Sequence, residues 1–424
     1  MKQDDAVTVF NGLGFAREEL VALPQAFAHG AQTAEGEPVA VCGTQALVTL
    51  PALGAVTLLP AGGGQSQPRA FAKRLEAGVL LQNERVAMQV DRQGRVISYT
   101  LDGREMAAGR PMNVLRMYKD VPRIFDAWDI DSNYREQEAC TARADTLELL
   151  KEEGFTVSVR WTGSIGRSAV TQVITLRTGS PVAEFDTTIQ WRELHRLLKV
   201  EFPVDVRAEN AIHEIQFGYV ERPTHRSRGY DQPAHRSREY DKDRFEVCNH
   251  RYTALCDNSH GCAVLNDCKY GVGVEQNSIE LTLLRAAASP EMASDQGEHR
   301  FRYGFTAWSE SFAQAPVVQQ AAAFNDPVWL EAGSLQAFSA FSTDAANVVI
   351  DTVKRADDES GDLILRLYES KKADTYFHIR SDLPVETLIP CDLLETPVGR
   401  AAALKAELHV RPFEVSTYRI KLRE

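Results

Sequence analysis

The sequence lacks any apolar run of membrane-spanning length. Its hydrophobic stretches are strand-sized and broken by charge or glycine, well short of the roughly 20 residues a helix needs to cross a bilayer. No membrane partner is therefore expected. It also lacks a basic excess: 47 Lys and Arg face 59 Asp and Glu, a formal charge of −12. An acidic chain gains nothing from a phosphate backbone, so nucleic acid is not an expected partner. The start, Met1-Lys2-Gln3-Asp4-Asp5, has neither the basic residues nor the apolar core of a secretory signal. Cysteine is sparse, seven in 424 residues, and no C-x-x-C pair occurs. An odd count without a secretory signal implies free thiols in a reducing, cytoplasmic setting. Cys256, Cys262 and Cys268 recur every six residues, with Cys248 nearby. That spacing suits one face of successive strands, and without close ligand pairs no zinc site is expected there.

What is present is β-structure. Ala87-Met88-Gln89-Val90, a turn at Asp91-Arg92-Gln93-Gly94 and Arg95-Val96-Ile97-Ser98-Tyr99 read as a hairpin. Residues 155–161, 169–176 and 182–191 alternate apolar and polar positions, with glycine-rich turns between them. They read as a meander of a large antiparallel sheet. Residues 410–422 are a last β-rich segment, interrupted by Pro412. Helix signals are scarce. Residues 316–324 predict one short helix, with proline at its start and Asn325-Asp326-Pro327 at its end. Residues 191–199 permit a helix by spacing, but strands flank them and a strand is the better reading.

A chain of 424 residues exceeds the usual size of one hydrophobic core. Residues 60–68 are rich in Gly, Pro and Gln, and 309–327 form a second compositional seam. These divide the chain into a small N-terminal β unit (1–65), a large central β domain (66–315) and a C-terminal β unit with a short leading helix (316–424). The expected class is all-β, with antiparallel sheets stacked on one another. One tandem repeat stands out: His225-Arg226-Ser227-Arg228-Gly229-Tyr230-Asp231 returns as His235-Arg236-Ser237-Arg238-Glu239-Tyr240-Asp241. Its polarity suits a duplicated surface loop. The arginines beside each histidine disfavour a metal cation at His225, His235, Asp231 and Asp241.

Several stretches, in order, resemble one family. They include Val9-Phe10-Asn11-Gly12-Leu13-Gly14-Phe15, Leu81-Gln82-Asn83-Glu84 and Phe125-Asp126-Ala127-Trp128-Asp129-Ile130-Asp131-Ser132-Asn133-Tyr134. They continue with His195 to Val204, Glu214 to His225, Leu265-Asn266-Asp267-Cys268-Lys269-Tyr270-Gly271, Leu283-Leu284-Arg285 and Asp295-Gln296-Gly297-Glu298-His299. Together they resemble the C-terminal region of glycoside hydrolase family 38 α-mannosidases, of the bacterial and cytosolic branch. The resemblance implies a β-supersandwich like that of galactose mutarotase, flanked by two smaller β-sandwich units. It implies retaining, zinc-assisted hydrolysis of terminal α-mannosides by the complete enzyme. The family's zinc site and nucleophile precede the Phe10-Asn11 landmark. Only nine residues precede Phe10 here. The expectation is therefore a chain without its catalytic domain, inactive alone, holding no catalytic residue and no cofactor, with its own N-terminal catalytic domain as partner. The doubled loop departs from the family's single copy.

Candidate contacts follow. Trp128, Asp129, Asp131 and Tyr134 form a dense aromatic and acidic stretch suited to the rim of a sugar pocket. Carboxylates accept sugar hydroxyls and rings stack on a pyranose. The bland alternative is a packed sheet edge with a buried tryptophan. Asn266, Asp267, Lys269 and Tyr270 precede Gly271. By resemblance they face the catalytic domain; otherwise they form a turn that satisfies its own backbone. Asp295 and His299 fall, by resemblance, near the seam between domains. Two rival functions are a free-standing carbohydrate-binding β-sandwich and a mutarotase-like enzyme using a His and a Glu. An exposed docking face also suits self-association.

Overall fold

A computed structural model describes residues 5–225 and 244–423. The repeated loop lies outside the described residues, apart from His225. The described elements are antiparallel strands with one α-helix, Val317–Asn325, and two short 3-10 turns. The helix begins directly after Pro316, where the sequence predicts it, and Gln320 N donates to Pro316 O.

The chain groups into two units. One comprises Pro68–Ile215 and Val220–Ala321; the other joins Met1–Gln67, Gln216–Tyr219 and Ala322–Glu424. Two of the four passages between units, after Gln67 and after Ala321, fall within the compositional seams 60–68 and 309–327, whereas those on either side of Gln216–Tyr219 do not. The first and last segments share one unit rather than standing as two, because Trp329–Ala332 pairs with Val7–Asn11 at the edge of an eight-stranded sheet.

In the larger unit, a nine-stranded and two six-stranded sheets contribute to one apolar core. The meander forms as the alternation predicts. Thr156–Ile165, Ser168–Arg177 and Ala183–Trp191 pair in sequence, and Ala183, Phe185, Ile189 and Trp191 point into the core. Arg196–Pro203 is a strand, with no helix over 191–199. It lies between Val114–Lys119 and Ser278–Arg285, and almost all of its side chains are buried. A strand covered on both faces loses the alternation that identifies a half-exposed one, which is why its spacing also admitted a helix.

The hairpin Val86–Asp91/Val96–Leu101 forms around Gly94. Its φ of 75° suits glycine. A Cβ there would lie 2.4 Å from the Trp161 indole. Beneath the turn, Gln172 closes a buried polar network. Its Oε1 accepts from Asn113 Nδ2 (2.8 Å) and Trp161 Nε1 (2.9 Å), and its Nε2 donates to Thr187 Oγ1 and the Tyr303 hydroxyl. Tyr303 returns a hydrogen bond to Asn113 Oδ1. Every polar group there is matched, as burial requires.

In the second unit, the eight-stranded sheet packs Val9, Val21, Phe27, Val41, Val48 and Leu58 together. A four-stranded sheet, Val348–Arg355, Leu363–Glu369, Val415–Leu422 and Val385–Cys391, builds a separate cluster. Pro412 falls between Leu408–Val410 and Val415–Leu422, consistent with proline's missing donor. All seven cysteines are free, with Cys262 and Cys391 buried and Cys248 and Cys268 exposed.

Candidate functional site

Strand register places several candidate loops at one end of a six-stranded sheet in the larger unit. Lys119 pairs with Arg196, Leu197 with Arg285, and Val272 with Leu281. The segments after Lys119, before Arg196, after Arg285 and before Gly271 therefore leave from the same end. They carry Trp128, His195, Asp295 and Tyr270.

Residues 121–133 form turns, not a strand. Asp126 turns inward: one carboxylate oxygen accepts from Ala288 N at 2.7 Å, and the other lies 3.6 Å from His195 Nδ1. Asp129 and Asp131 are exposed. Trp128 is 71% exposed and meets Phe125, 64% exposed, edge to face at 6.5 Å. This removes the alternative of a buried tryptophan at a sheet edge. Val121 and Ile124 extend the exposed apolar surface.

The turn is built on Arg285. Its Nε donates to Asp120 Oδ2 at 2.6 Å, Nη1 to Ala127 O at 3.1 Å, and Nη2 to Asp126 O at 2.8 Å and to Asp129 O. Asp120 is nearly fully buried; burial pushes its carboxyl up from the usual range, and the Arg285 guanidinium opposes that shift. Asp295 joins the group by accepting from Arg285 N at 3.3 Å, and its carbonyl lies 2.7 Å from His299 Nε2.

Tyr134 takes no place on the rim. It is 2% exposed, covered by Tyr118, Leu197 and Phe245, with Lys199 Nζ 5.5 Å over its ring. Lys199 in turn donates to Glu246 at 2.5 Å and to Thr282 at 2.9 Å. Burial, then Glu246 and Glu280, raise the Tyr134 phenol above its ordinary value. The stacking expectation fails for this ring because neighbours from three other strands and loops occupy its faces.

Asn266 is 1% exposed and acts as a turn brace: Nδ2 donates to His250 O and Oδ1 accepts from Lys269 N. Asp267 accepts from Arg302 N, and Lys269 Nζ sits 4.8 Å over the Phe301 ring. Of this group only Tyr270, 55% exposed beside His250, presents a ring to solvent. Sequence reasoning gave no role to Asp120, His195 or Arg285, although the last two fall in stretches that carry the resemblance. The available signal was Arg285, a charge closing the mostly buried strand Ser278–Arg285. Among the described residues no three His, Cys, Asp or Glu side chains are arranged to hold a metal ion.

The architecture is that of a multi-sheet β module with a clamped, ring-bearing end. Residues 81–293 match the glycosyl hydrolases family 38 C-terminal domain, and 347–418 match that family's C-terminal beta sandwich domain. The chain belongs to glycosyl hydrolase family 38, in its C-terminal β region. It is 35% identical to alpha-mannosidase 2C1 of Homo sapiens, over 93% of this chain and 37% of that protein. It is 24% identical to an alpha-mannosidase of Saccharomyces cerevisiae, over 73% of this chain and 31% of that protein. The chain thus spans well under half the length of these curated relatives. An alpha-mannosidase structure from Enterococcus faecalis V583 superposes with a TM-score of 0.76 at 15% identity, covering 98% of this chain and 56% of that one. The antiparallel all-β fold of this chain is therefore that of the matched region of that structure.

Proposed function

We propose that this chain is the β portion of an enzyme that hydrolyses terminal α-mannosides, and that it packs on the catalytic portion and shapes the sugar pocket. The observation that carries the reading is the Phe125–Trp128 turn: two exposed rings beside exposed carboxylates, held by the partly buried Arg285–Asp120 ion pair, within the family-matched span. Trp128 offers a stacking face, and Asp129 and Asp131 offer acceptors for sugar hydroxyls. Tyr270 is the second rim contact, while Asn266, Asp267 and Lys269 shape its turn. Asp295 and His299 stand at the seam with the catalytic portion.

Retaining hydrolysis needs a nucleophile and an acid/base about 5 to 5.5 Å apart. The carboxylates here are assigned neither role. Catalysis, and the zinc that assists it in this family, belong to residues beyond those described. No hydrolysis by this chain alone is expected. The separate family matches at 81–293 and 347–418 support treating the central and C-terminal segments as distinct modules. The seven free thiols accord with a cytoplasmic setting.

The test is whether this chain captures a separately expressed family 38 catalytic region, and whether it binds mannosides without one. Capture with little sugar binding alone supports the proposal. Sugar binding by the chain alone, quenching Trp128 fluorescence without any capture, favours a free-standing carbohydrate-binding module instead.

A further inference from the structure

We propose that Arg285 is a positioning residue for the sugar-contacting rim: its guanidinium holds the Phe125–Trp128 turn so that both rings face outward. Its consequence for substrate rests on the function proposed above; its structural part does not.

The turn has no strand partner to fix it. Its backbone carbonyls converge instead on one side chain. Ala127 O, Asp126 O and Asp129 O all accept from the Arg285 guanidinium. The other edge of the fork is fixed by Asp120, through Nε to Oδ2 at 2.6 Å and Nη2 to Oδ1 at 3.3 Å. A planar fork can meet a carboxylate and several carbonyls at once, whereas lysine supplies a single point of charge. Asp120 is itself placed by its backbone N–H, which donates to His195 O at 2.9 Å, and His195 N donates to Ala286 O. Residues 120, 195 and 285 thus form one continuous support beneath the turn.

The partition within the turn is the reverse of an ordinary surface loop. Polar carbonyls point inward and apolar rings point outward. Phe125 has a φ of 58°, and both Trp128 N and Asp129 N donate to its carbonyl. A non-glycine residue in that region persists only where its surroundings impose it. A clamp serving stability alone would tuck Phe125 and Trp128 against the core. This one spends a nearly buried ion pair on keeping them exposed.

The test compares Arg285→Lys, Asp120→Asn and Trp128→Ala by hydrogen exchange and melting temperature in this chain. KM and kcat for an α-mannoside are then measured after each variant is joined to a family 38 catalytic region. Arg285→Lys is expected to speed exchange of the Trp128 and Asp129 amides about ten-fold, with other amides of the unit unchanged. KM is expected to rise several-fold with kcat nearly constant, the mark of lost binding rather than lost chemistry. Asp120→Asn, which keeps the arginine but loosens its fork, is expected to give a smaller change of the same kind, and it replaces Arg285→Lys if that variant does not fold. Trp128→Ala should raise KM without altering exchange at Asp129. Unchanged exchange in both clamp variants overturns the positioning role. Faster exchange with unchanged KM overturns its functional part. An unchanged KM in Trp128→Ala defeats the rim reading itself, and is told apart because the exchange result does not depend on it.

Discussion

His213 gives the sharpest stability prediction. It lies in the strand Asn210–Ile215, opposite Thr253, with Nδ1 3.1 Å from Thr253 Oγ1. Burial pushes its imidazole down from 6.5 to about 3, and the positive charge of Arg222 adds to the shift. The fold therefore keeps His213 neutral where the unfolded chain protonates it. Stability from this group is fully present above about pH 6.5 and is lost as pH falls toward 3. The slope is about 1.4 kcal/mol per pH unit, so the loss reaches about 3 kcal/mol at pH 4.5. His213→Asn keeps a polar group near Thr253 but cannot titrate. The assay is the opening free energy of the Asn210–Ile215 amides, from hydrogen exchange corrected for intrinsic rates, at several pH values between 7.5 and 4.5. Wild type should lose that increment relative to the variant as the solution is acidified. Parallel pH profiles for the two proteins would refute the reasoning.

Two further substitutions probe the larger unit. Gly94→Ala meets both a left-handed φ and a Cβ contact of 2.4 Å with Trp161; a loss of about 2 kcal/mol or more in denaturant unfolding is expected, with a shift in tryptophan fluorescence. Gln172→Leu removes the acceptor of Asn113 and Trp161 and the donor to Tyr303. Since each stranded group costs about 1–3 kcal/mol, it should destabilise by at least about 3 kcal/mol in the same assay.

Much of the strand pattern was legible because half-buried strands alternate. Ser168–Arg177 and Ala183–Trp191 show it along their lengths. Gly94 was legible as a turn residue, though its clearance from Trp161 was not. The helix 317–325 announced itself through Pro316 and the Asn325-Asp326-Pro327 stop. The site was legible only in part. Trp128 and its acids stood out as a local cluster, but the clamp joins Asp120 and Arg285 across 165 residues, a pairing that local spacing cannot carry. Tyr134 looked like a rim ring because it follows Trp128 in sequence, and its cover comes from Tyr118, Leu197 and Phe245 on other elements. Asn266 bore the marks of a self-satisfying turn, and its bond from Lys269 N follows that reading, whereas its Nδ2 reaches His250 O on another segment. The joining of the first and last segments through Val7–Asn11 and Trp329–Ala332 was likewise invisible, since neither strand signals its partner.

The central claim is that this chain completes a sugar pocket whose chemistry lies elsewhere, and turnover of a terminal α-mannoside tests it most directly. The chain alone, a family 38 catalytic region alone and the two joined would be assayed side by side. The account predicts no hydrolysis by this chain, hydrolysis by the joined protein, and a raised KM when Trp128→Ala is introduced. Hydrolysis by the chain alone, or a joined protein indifferent to Trp128, would contradict it.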